Sequence, residues 1–239
     1  MTTSTTPIKI RRSGERGHAD HGWLKSHHSF SFGSYHDPAH SGFRSLRVIN
    51  QDQVAPGGGF PTHPHRDMEI FSYVLSGTLK HQDSMGNGRE LKPGQIQLMS
   101  AGKGVAHSEF NPSDSEALHF LQIWLLPERA NLEPSYTEWH PSPETEAQGK
   151  TLIISQDGRD ESAVIHQDAS IYRVRLSAGE SVEHQLAQGR GLWLQLISGE
   201  VSVAQQRLEA GDGVSIEEPG SWTLTAESDS VEALLFDLR

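Results

Sequence analysis

The 239-residue sequence contains no cysteine. Disulfide bonds and thiolate metal sites are therefore excluded, and any bound metal must be held by nitrogen and oxygen ligands. No apolar run approaches the roughly 20 residues that a membrane-spanning helix needs. The first 17 residues also lack the apolar region of a secretory signal. We therefore expect a soluble, cytoplasmic protein without a membrane partner.

Basic residues are scarce. The chain has 20 Lys and Arg against 31 Asp and Glu, and its net charge is −11 with histidine neutral. Nucleic-acid backbones are bound mainly by Lys and Arg, so this balance argues against direct contact with nucleic acid. The one basic cluster, in residues 9–16, is short, and we interpret it as a solvated N-terminal arm.

Helical periodicity is also scarce, and short strand-like runs take its place. Turn sequences such as Ser76-Gly77, Pro93-Gly94 and Ser198-Gly199 separate these runs. Many short strands joined by tight turns favour an all-β sandwich or barrel. The predicted strands are 45–50, 69–75, 78–83, 95–99, 118–126, 151–155, 170–176, 192–197, 200–204, 221–226 and 232–238.

The sequence contains an internal repeat. "YVLSGTL" (73–79) and "LKPGQIQLMSAG" (91–102) are echoed by "LQLISGEV" (195–201) and "LEAGDGVSIEEPG" (208–220). Two copies of one β-fold are the natural interpretation. The polar segment 127–150, with four prolines, is the best linker candidate. We therefore predict an N-terminal domain over 1–139 and a C-terminal domain over 140–239.

Two pairs of potential metal ligands have the same spacing. His63 and His65 flank Pro64 in "FPTHPHRDMEI", and His107 and Glu109 lie in "GVAHSEF". Side chains at i and i+2 of a strand point to the same face. If the two strands are adjacent, three imidazoles and one carboxylate converge on a borderline divalent metal with open positions. A pair of surface histidines on a polar edge is the alternative interpretation of His-x-His alone.

Longer segments carry a family resemblance. "ERGHADHGWLKSHHSFSFGSYHDP", "THPHRDMEIFSYVLSGTLKHQDSMGN", "MSAGKGVAHSEFNPS" and "LHFLQIWLLP" resemble the signature segments of the pirin family of cupins, and in particular its bacterial quercetin 2,3-dioxygenase-like members. The resemblance covers the N-terminal half in register and the C-terminal half more loosely. It implies a bicupin fold, in which two β-sandwich (jelly-roll) barrels pack face to face.

The resemblance also implies a ligand set. Carried over position by position, the metal ligands are His63, His65, His107 and Glu109, and the ion is iron(II), with nickel, copper, manganese, cobalt or zinc as alternatives. In many cupins the glutamate after His-x-His is a ligand, but in the pirin branch it is not. A straight strand would place Glu69 about 20 Å from His63, so its ligation would require a sharp bend.

The implied function is a metal-dependent dioxygenase acting on a flavonol such as quercetin. The family reaction opens the flavonol heterocycle with O₂ and releases carbon monoxide, with Glu109 as the general base for the substrate hydroxyl. The alternative, which eukaryotic pirins suggest, is a non-enzymatic iron-binding regulator that acts through protein contacts. We expect a monomer whose partners are the flavonol and O₂.

The remaining histidines receive simpler interpretations. We expect His81 to be exposed beside a polar turn, and His119 to pack or to line a pocket. Alignment of the repeats places Gln185, Ala187, Leu224 and Ala226 where the first copy has its four ligands. The C-terminal domain is therefore predicted to bind no metal, with an apolar interior. Hydrogen-bonding roles are expected for the N-terminal group of His18, His21, His27, His28, His36 and His40.

Overall fold

A computed structural model describes residues 8–239 of the chain. β-Strands make up 56% of it and helical turns 6%. The helical segments are the 3-10 turns Ser13–Glu15, Pro38–His40 and Arg159–Glu161 and the helix α1 (Pro143–Glu146). No helix in this range is long and apolar enough to cross a membrane. The strands are β1 (Ile8–Arg11), β2 (Gly17–Asp20), β3 (Leu24–His28), β4 (Leu46–Val54), β5 (Gly59–His65), β6 (Glu69–Ser76), β7 (Leu79–Asp83), β8 (Gly88–Leu91), β9 (Ile96–Ser100), β10 (Val105–Phe110), β11 (Leu118–Leu125), β12 (Ser135–Trp139), β13 (Lys150–Ser155), β14 (Ala163–Val164), β15 (Ala169–Leu176), β16 (Ser181–Leu186), β17 (Gly191–Ser198), β18 (Glu200–Val203), β19 (Gln206–Glu209), β20 (Gly213–Ile216), β21 (Gly220–Ala226) and β22 (Val231–Leu238).

The all-β prediction is confirmed, and each predicted strand overlaps an observed one. The Ser-Gly turns lie where expected: Gly77 and Gly199 have φ of +81° and +76°, a left-handed conformation that glycine adopts without steric cost. The pattern of apolar runs did not predict β3, β5 or β16, because these strands carry many polar and histidine residues. The segment 127–150 is more ordered than a linker, since β12 pairs with β9 and α1 follows.

The chain forms two compact units that exchange short segments. The N-terminal unit comprises 16–141 and 156–167, and the C-terminal unit comprises 8–15, 142–155 and 168–239. The principal change of unit falls after residue 141. β1 lies in the first half of the sequence but belongs to the C-terminal unit, and the segment 156–167 lies in the second half but belongs to the N-terminal unit. The domain boundary at 139/140 stays a prediction.

The N-terminal unit contains two sheets. The larger has the strand order β12-β9-β6-β11-β4-β3-β2, and the smaller has the order β5-β10-β7-β8. A cluster of buried side chains that includes Val74, Leu79, Leu91, Leu118 and Phe120 packs between strands of both sheets. Burial of such apolar surface, at about 25 cal/mol per Å², is the main force that holds two sheets together.

The C-terminal unit repeats this arrangement. Its larger sheet contains the order β1-β20-β17-β22-β15-β13, and its smaller sheet the order β16-β21-β18-β19. In the N-terminal unit, β6 precedes the Ser-Gly turn and lies between β9 and β11. In the C-terminal unit, β17 precedes the Ser-Gly turn and lies between β20 and β22, so the sequence repeat is also a structural repeat. The interior is apolar as predicted: Leu192, Leu194, Leu196 and Leu224 are each at most 1% exposed, and Trp222 packs against the same cluster.

Candidate metal centre

β5 and β10 pair as antiparallel neighbours, and this brings the two ligand pairs together. His63 lies opposite His107 in the ladder, and His65 lies opposite Val105. β5 is the edge strand of its sheet. Pro64 has no N–H to donate and is therefore tolerated there. The two-residue spacing then directs His63 and His65 toward the same side as His107.

Three imidazoles converge at this position. The Nε2 atoms of His63 and His107 lie 3.1 Å apart, and the three ring centroids are 4.6–4.8 Å from one another. One nitrogen of each ring lies within 4.8 Å of the others. Among residues 8–239 this is the one group of three or more His, Asp or Glu donors close enough to share an ion.

The hydrogen bonds of these rings fit a metal. His63 Nδ1 lies 2.8 Å from the Pro61 carbonyl oxygen, so Nδ1 carries the proton and the Nε2 lone pair is free to coordinate. His65 Nε2 is buried and has no hydrogen-bond partner in the described chain. A buried nitrogen without a partner costs free energy unless something binds it. A divalent ion bound by nitrogen ligands satisfies all three rings.

The surroundings of His65 and His107 favour the neutral form of these two imidazoles. Burial, with a smaller contribution from the neighbouring His63, lowers the pKa of His65 to about 4. Burial also lowers the pKa of His107, with smaller effects from His65, His63 and His81. A metal binds the deprotonated nitrogen, so rings that resist protonation need not release a proton before they coordinate.

Glu109 is buried beside this group but is not part of it. Its register with β5 shifts after His107, so Glu109 lies opposite Phe60. Oε1 accepts hydrogen bonds from Ser72 Oγ at 2.6 Å and Gln97 Nε2 at 3.3 Å, and Oε2 accepts one from Gln122 Nε2 at 2.9 Å. Burial raises the pKa of Glu109 to about 7, although these three donors lower it. Its role as fourth ligand stays a prediction.

The three partners of Glu109 form part of a polar row that crosses the larger sheet. In the β-ladders Gln97 pairs with Ser72, Ser72 with Gln122, and Gln122 with Asn50. Sequence reasoning missed these residues. Each is a polar residue inside a strongly apolar strand, and this contrast is the feature of the sequence that could have identified it. A polar side chain on a buried strand face needs a partner, and here the common partner is Glu109.

Glu69 has a different environment. Its Oε1 accepts a hydrogen bond from Ser100 Oγ at 2.6 Å, and its Oε2 accepts one from the backbone N–H of His166 at 3.3 Å. It is completely buried and lies outside the group of three histidines. Burial raises its pKa, although Ser100 and His166 lower it. Glu69 thus joins β6 to β9 and to the 156–167 segment.

The expected exposure of His81 is wrong. Its side chain is 0% exposed, because β7 lies between β10 and β8 and is an inner strand of the smaller sheet. The ring stacks on Tyr136 with centroids 5.6 Å apart and lies 5.3 Å from the His107 ring. Burial lowers the pKa of His81 to about 4. His81 therefore packs behind the metal group as a neutral ring.

The other histidines have varied surroundings. The rings of His18 and His27 are in contact, His40 Nδ1 lies 2.8 Å from an Asp37 oxygen, and His119 Nε2 lies 3.0 Å from Gln51 Nε2. In this N-terminal region, His28 is buried and its Nε2 lies 2.8 Å from Ser26 Oγ.

In the C-terminal unit the predicted equivalence is displaced by one residue. β16 turns His184 and Leu186 inward and leaves Gln185 exposed. His184 Nε2 lies 2.9 Å from an Asp237 carboxylate oxygen, and the ring contacts Tyr172 edge-on. The histidine is therefore occupied by a carboxylate partner within its own unit.

Comparison with known proteins agrees with this geometry. Residues 9–125 match the pirin family, and residues 152–238 match the quercetinase C-terminal cupin domain. The chain is 48% identical over 231 residues to quercetin 2,3-dioxygenase of Escherichia coli strain K12, covering 97% of this chain and 98% of that protein. It is 40% identical over 223 residues to a pirin-like protein of Caulobacter vibrioides, covering 92% and 95%.

A solved structure shows the same fold. The bacterial pirin YhhW of Escherichia coli, in complex with nickel(II), superimposes with a TM-score of 0.92 at 47% identity and covers 97% of this chain and 98% of that one. The family resemblance of the sequence is thereby confirmed, and so is the bicupin fold class. This chain belongs to the pirin family of the cupins.

Proposed function

We propose that this protein is a metal-dependent dioxygenase that cleaves flavonols with O₂. The observation that carries the proposal is the convergence of His63, His65 and His107 on one point beside the buried carboxylate of Glu109. The relative with 48% identity is named for this reaction. Neutral imidazoles with free nitrogen lone pairs are suited to a catalytic divalent ion.

The three histidines would hold the ion, and Glu109 would be the fourth ligand or would lie immediately beside the ion. When bound, a divalent ion supplies the Lewis acidity that makes a coordinated hydroxyl more acidic and the positions at which substrate and O₂ can meet. We propose iron(II) as the ion, with nickel as the first alternative because a relative's structure contains nickel(II).

Glu109 is positioned to accept the proton of the substrate hydroxyl. Its Oε2 accepts a single hydrogen bond, from Gln122, and so has capacity for a proton. Burial raises its pKa to about 7, which is where a general base works best near neutral pH. Ser72, Gln97 and Gln122 fix the carboxylate from three strands, so it does not have to be ordered during the reaction.

The proposal is tested by turnover. Purified protein loaded with iron(II) or nickel(II) should consume O₂ and bleach the visible absorbance of quercetin, with release of carbon monoxide. Glu109→Gln should retain measurable metal and lose activity by about 10²- to 10⁴-fold, because an amide cannot accept the proton. Glu116→Gln, at an exposed position of the same unit, is the matched control and should keep wild-type activity.

A fully metallated wild type that leaves a panel of flavonols and catechols unchanged would contradict the enzymatic proposal. The regulator hypothesis, in which the metal alters a protein-binding surface, would then be the better account.

A further inference from the structure

A second polar site lies next to the metal group in the N-terminal unit. A cavity of about 100 Å³ is lined by residues of β3, β4, β5 and β11. Its lining includes the exposed His21 and Ser34 and the buried Asp52, which is 2% exposed. The cavity therefore extends from the surface to the interior of the unit. The metal and its ligands do not account for it.

The inner wall of this cavity carries polar atoms without partners. Asp52 Oδ1, Asn50 Oδ1 and His28 Nδ1 are all buried and have no hydrogen-bond partner in residues 8–239. Asn50 and Asp52 are two residues apart on β4, so both side chains point to the same face. An unpaired buried polar group costs about 1–3 kcal/mol. Two adjacent acceptors and a ring nitrogen together indicate a ligand rich in hydroxyl donors.

The cavity is close to the metal group. The Phe60 side chain lines the cavity, and its ring lies 6.5 Å from the His63 ring. Gln122 also lines the cavity and donates its hydrogen bond to Glu109. A molecule in the cavity therefore lies against Phe60, which neighbours His63, and against Gln122, which is bonded to Glu109.

We propose that this cavity binds a hydroxylated aromatic ring of the substrate, with Asp52 and Asn50 accepting hydrogen bonds from the ring hydroxyls. Leu24, Phe32 and Phe60 provide apolar walls for the ring faces. Its volume of about 100 Å³ is of the same order as a cavity of about 150 Å³ that binds benzene, so it takes at most one ring and not a whole flavonol. Asp52 is thus a specificity-determining residue. This inference rests on the proposed function.

The cavity should make the protein selective for hydroxylated rings. A site whose buried acceptors are paired by ligand hydroxyls binds analogues without those hydroxyls more weakly, because the buried acceptors then stay unpaired. Quercetin, kaempferol and galangin share the 3-hydroxyl and 4-carbonyl and carry two, one and no hydroxyls on the pendant ring. We expect the affinity to fall in that order, by about tenfold for each hydroxyl removed.

Binding is measured first, without turnover. The metallated protein is titrated with the three flavonols at pH 8 in the absence of O₂. Tryptophan fluorescence is the reporter, since the Trp23 ring lies 5.1 Å from the Phe60 ring that lines the cavity. Asp52→Leu keeps the same number and branching of heavy atoms and replaces both carboxylate oxygens with methyl groups. Its affinity for quercetin should be at least about tenfold lower than that of the wild type, and its affinity for galangin should equal that of the wild type. Asp20→Leu, at an exposed aspartate of the same unit, should keep the wild-type ranking.

Turnover distinguishes a specificity role from a structural one. In Asp52→Leu the loss for quercetin should appear in KM, with kcat changed less than about threefold, because the lost hydrogen bond is the same in ground and transition states. Full metal content in the variant shows that the neighbouring group is intact. If Asp52→Leu does not fold, Asn50→Leu takes its place with the same expected pattern.

The outcomes separate the two proposals. Equal wild-type affinity for the three flavonols, or an unchanged ranking in a folded Asp52→Leu, would overturn the cavity assignment and identify a cavity that holds water only. If hydroxyl-dependent binding is observed while no flavonol is turned over, the cavity assignment stands and the dioxygenase proposal fails.

Discussion

Single residues decide whether the metal centre can form. His63 is held by the Pro61 carbonyl so that its Nε2 points to His107. His63→Ala removes one of three nitrogen ligands, and each ligand contributes several kcal/mol of a chelate's affinity. We expect the variant to lose most of its metal, measured by elemental analysis of protein purified without an affinity tag or added metal. His18→Ala, at an exposed histidine of the same unit, should bind metal as the wild type does.

The double variant His63→Ala/His107→Ala gives the sharper result. The remaining candidate ligands are His65 and Glu109, and one imidazole with one carboxylate does not retain a divalent ion through purification. Stoichiometric metal in this double variant would refute the assignment.

His28 makes the stability of the N-terminal unit sensitive to acid. Burial, with smaller contributions from the positive charges of His27, His18, Arg16 and His21, lowers its pKa from 6.5 to about 4. As the pH falls below 6.5 the unfolded chain takes up the proton first, so the folded state loses stability until the pH passes 4. The full effect is about 3 kcal/mol.

Urea unfolding of metal-free protein at pH 7 and pH 4 measures this effect. The decrease in unfolding free energy should be about 3 kcal/mol smaller in His28→Leu than in the wild type. His36→Leu, at an exposed position on a nearby loop, should retain the wild-type decrease. An identical decrease in all three proteins would show that His28 is protonated as readily in the folded state as in the unfolded chain.

At the scale of elements, the turn between β9 and β10 positions His107. Gly102 has φ of +43°, and a Cβ there would lie 2.0 Å from the Leu132 carbonyl oxygen. That oxygen also accepts a hydrogen bond from Lys103 N at 2.9 Å. In Gly102→Ala the alanine must adopt a left-handed φ, and its Cβ must displace the backbone at Leu132. We therefore expect the unfolding free energy to fall by roughly 3 kcal/mol.

The matched substitution is Gly88→Ala. Gly88 begins β8, its φ is not positive, and a Cβ there would have no atom within 4 Å. Its unfolding free energy should change by less than about 1 kcal/mol. Equal urea midpoints for the two variants would mean that the turn before β10 can move without cost.

On the scale of the whole molecule, the exchanged segments limit how the chain can be divided. The segment 156–167 belongs to the N-terminal unit, where the His166 carbonyl accepts a hydrogen bond from Glu128 N at 2.7 Å and the Gln167 side chain donates one to the Leu126 carbonyl at 2.8 Å. A fragment that ends at residue 140 loses these bonds together with the contact from His166 to Glu69. Each buried group left unpaired costs about 1–3 kcal/mol.

We therefore expect the fragment 1–140 to aggregate or to be inactive, and the fragment 1–167 to melt at a higher temperature. Binding of a dye that fluoresces on apolar surfaces, together with thermal melting, compares the two fragments at equal concentration. A soluble 1–140 fragment with full activity would contradict this account of the units.

Much of the architecture follows from local sequence. The alternation of apolar residues, the Ser-Gly turns and the repeated segments determine an all-β chain with two related halves, because strand period and turn conformation depend on neighbours in sequence. The two-residue spacing of His63 and His65 likewise determines that both rings share a face. The family resemblance added the ligand set that spacing alone left open.

Other properties depend on contacts between distant segments. Strand order made His81 a buried ring although its neighbours in sequence are polar, and it placed Ser72, Gln97 and Gln122 in one row around Glu109. The sequence by itself determined which face of each strand is apolar and which histidines can act as a pair. Only the tertiary structure decided which strands are neighbours, and so which three of the 14 histidines meet, because ladder register is set by the packing of the whole unit.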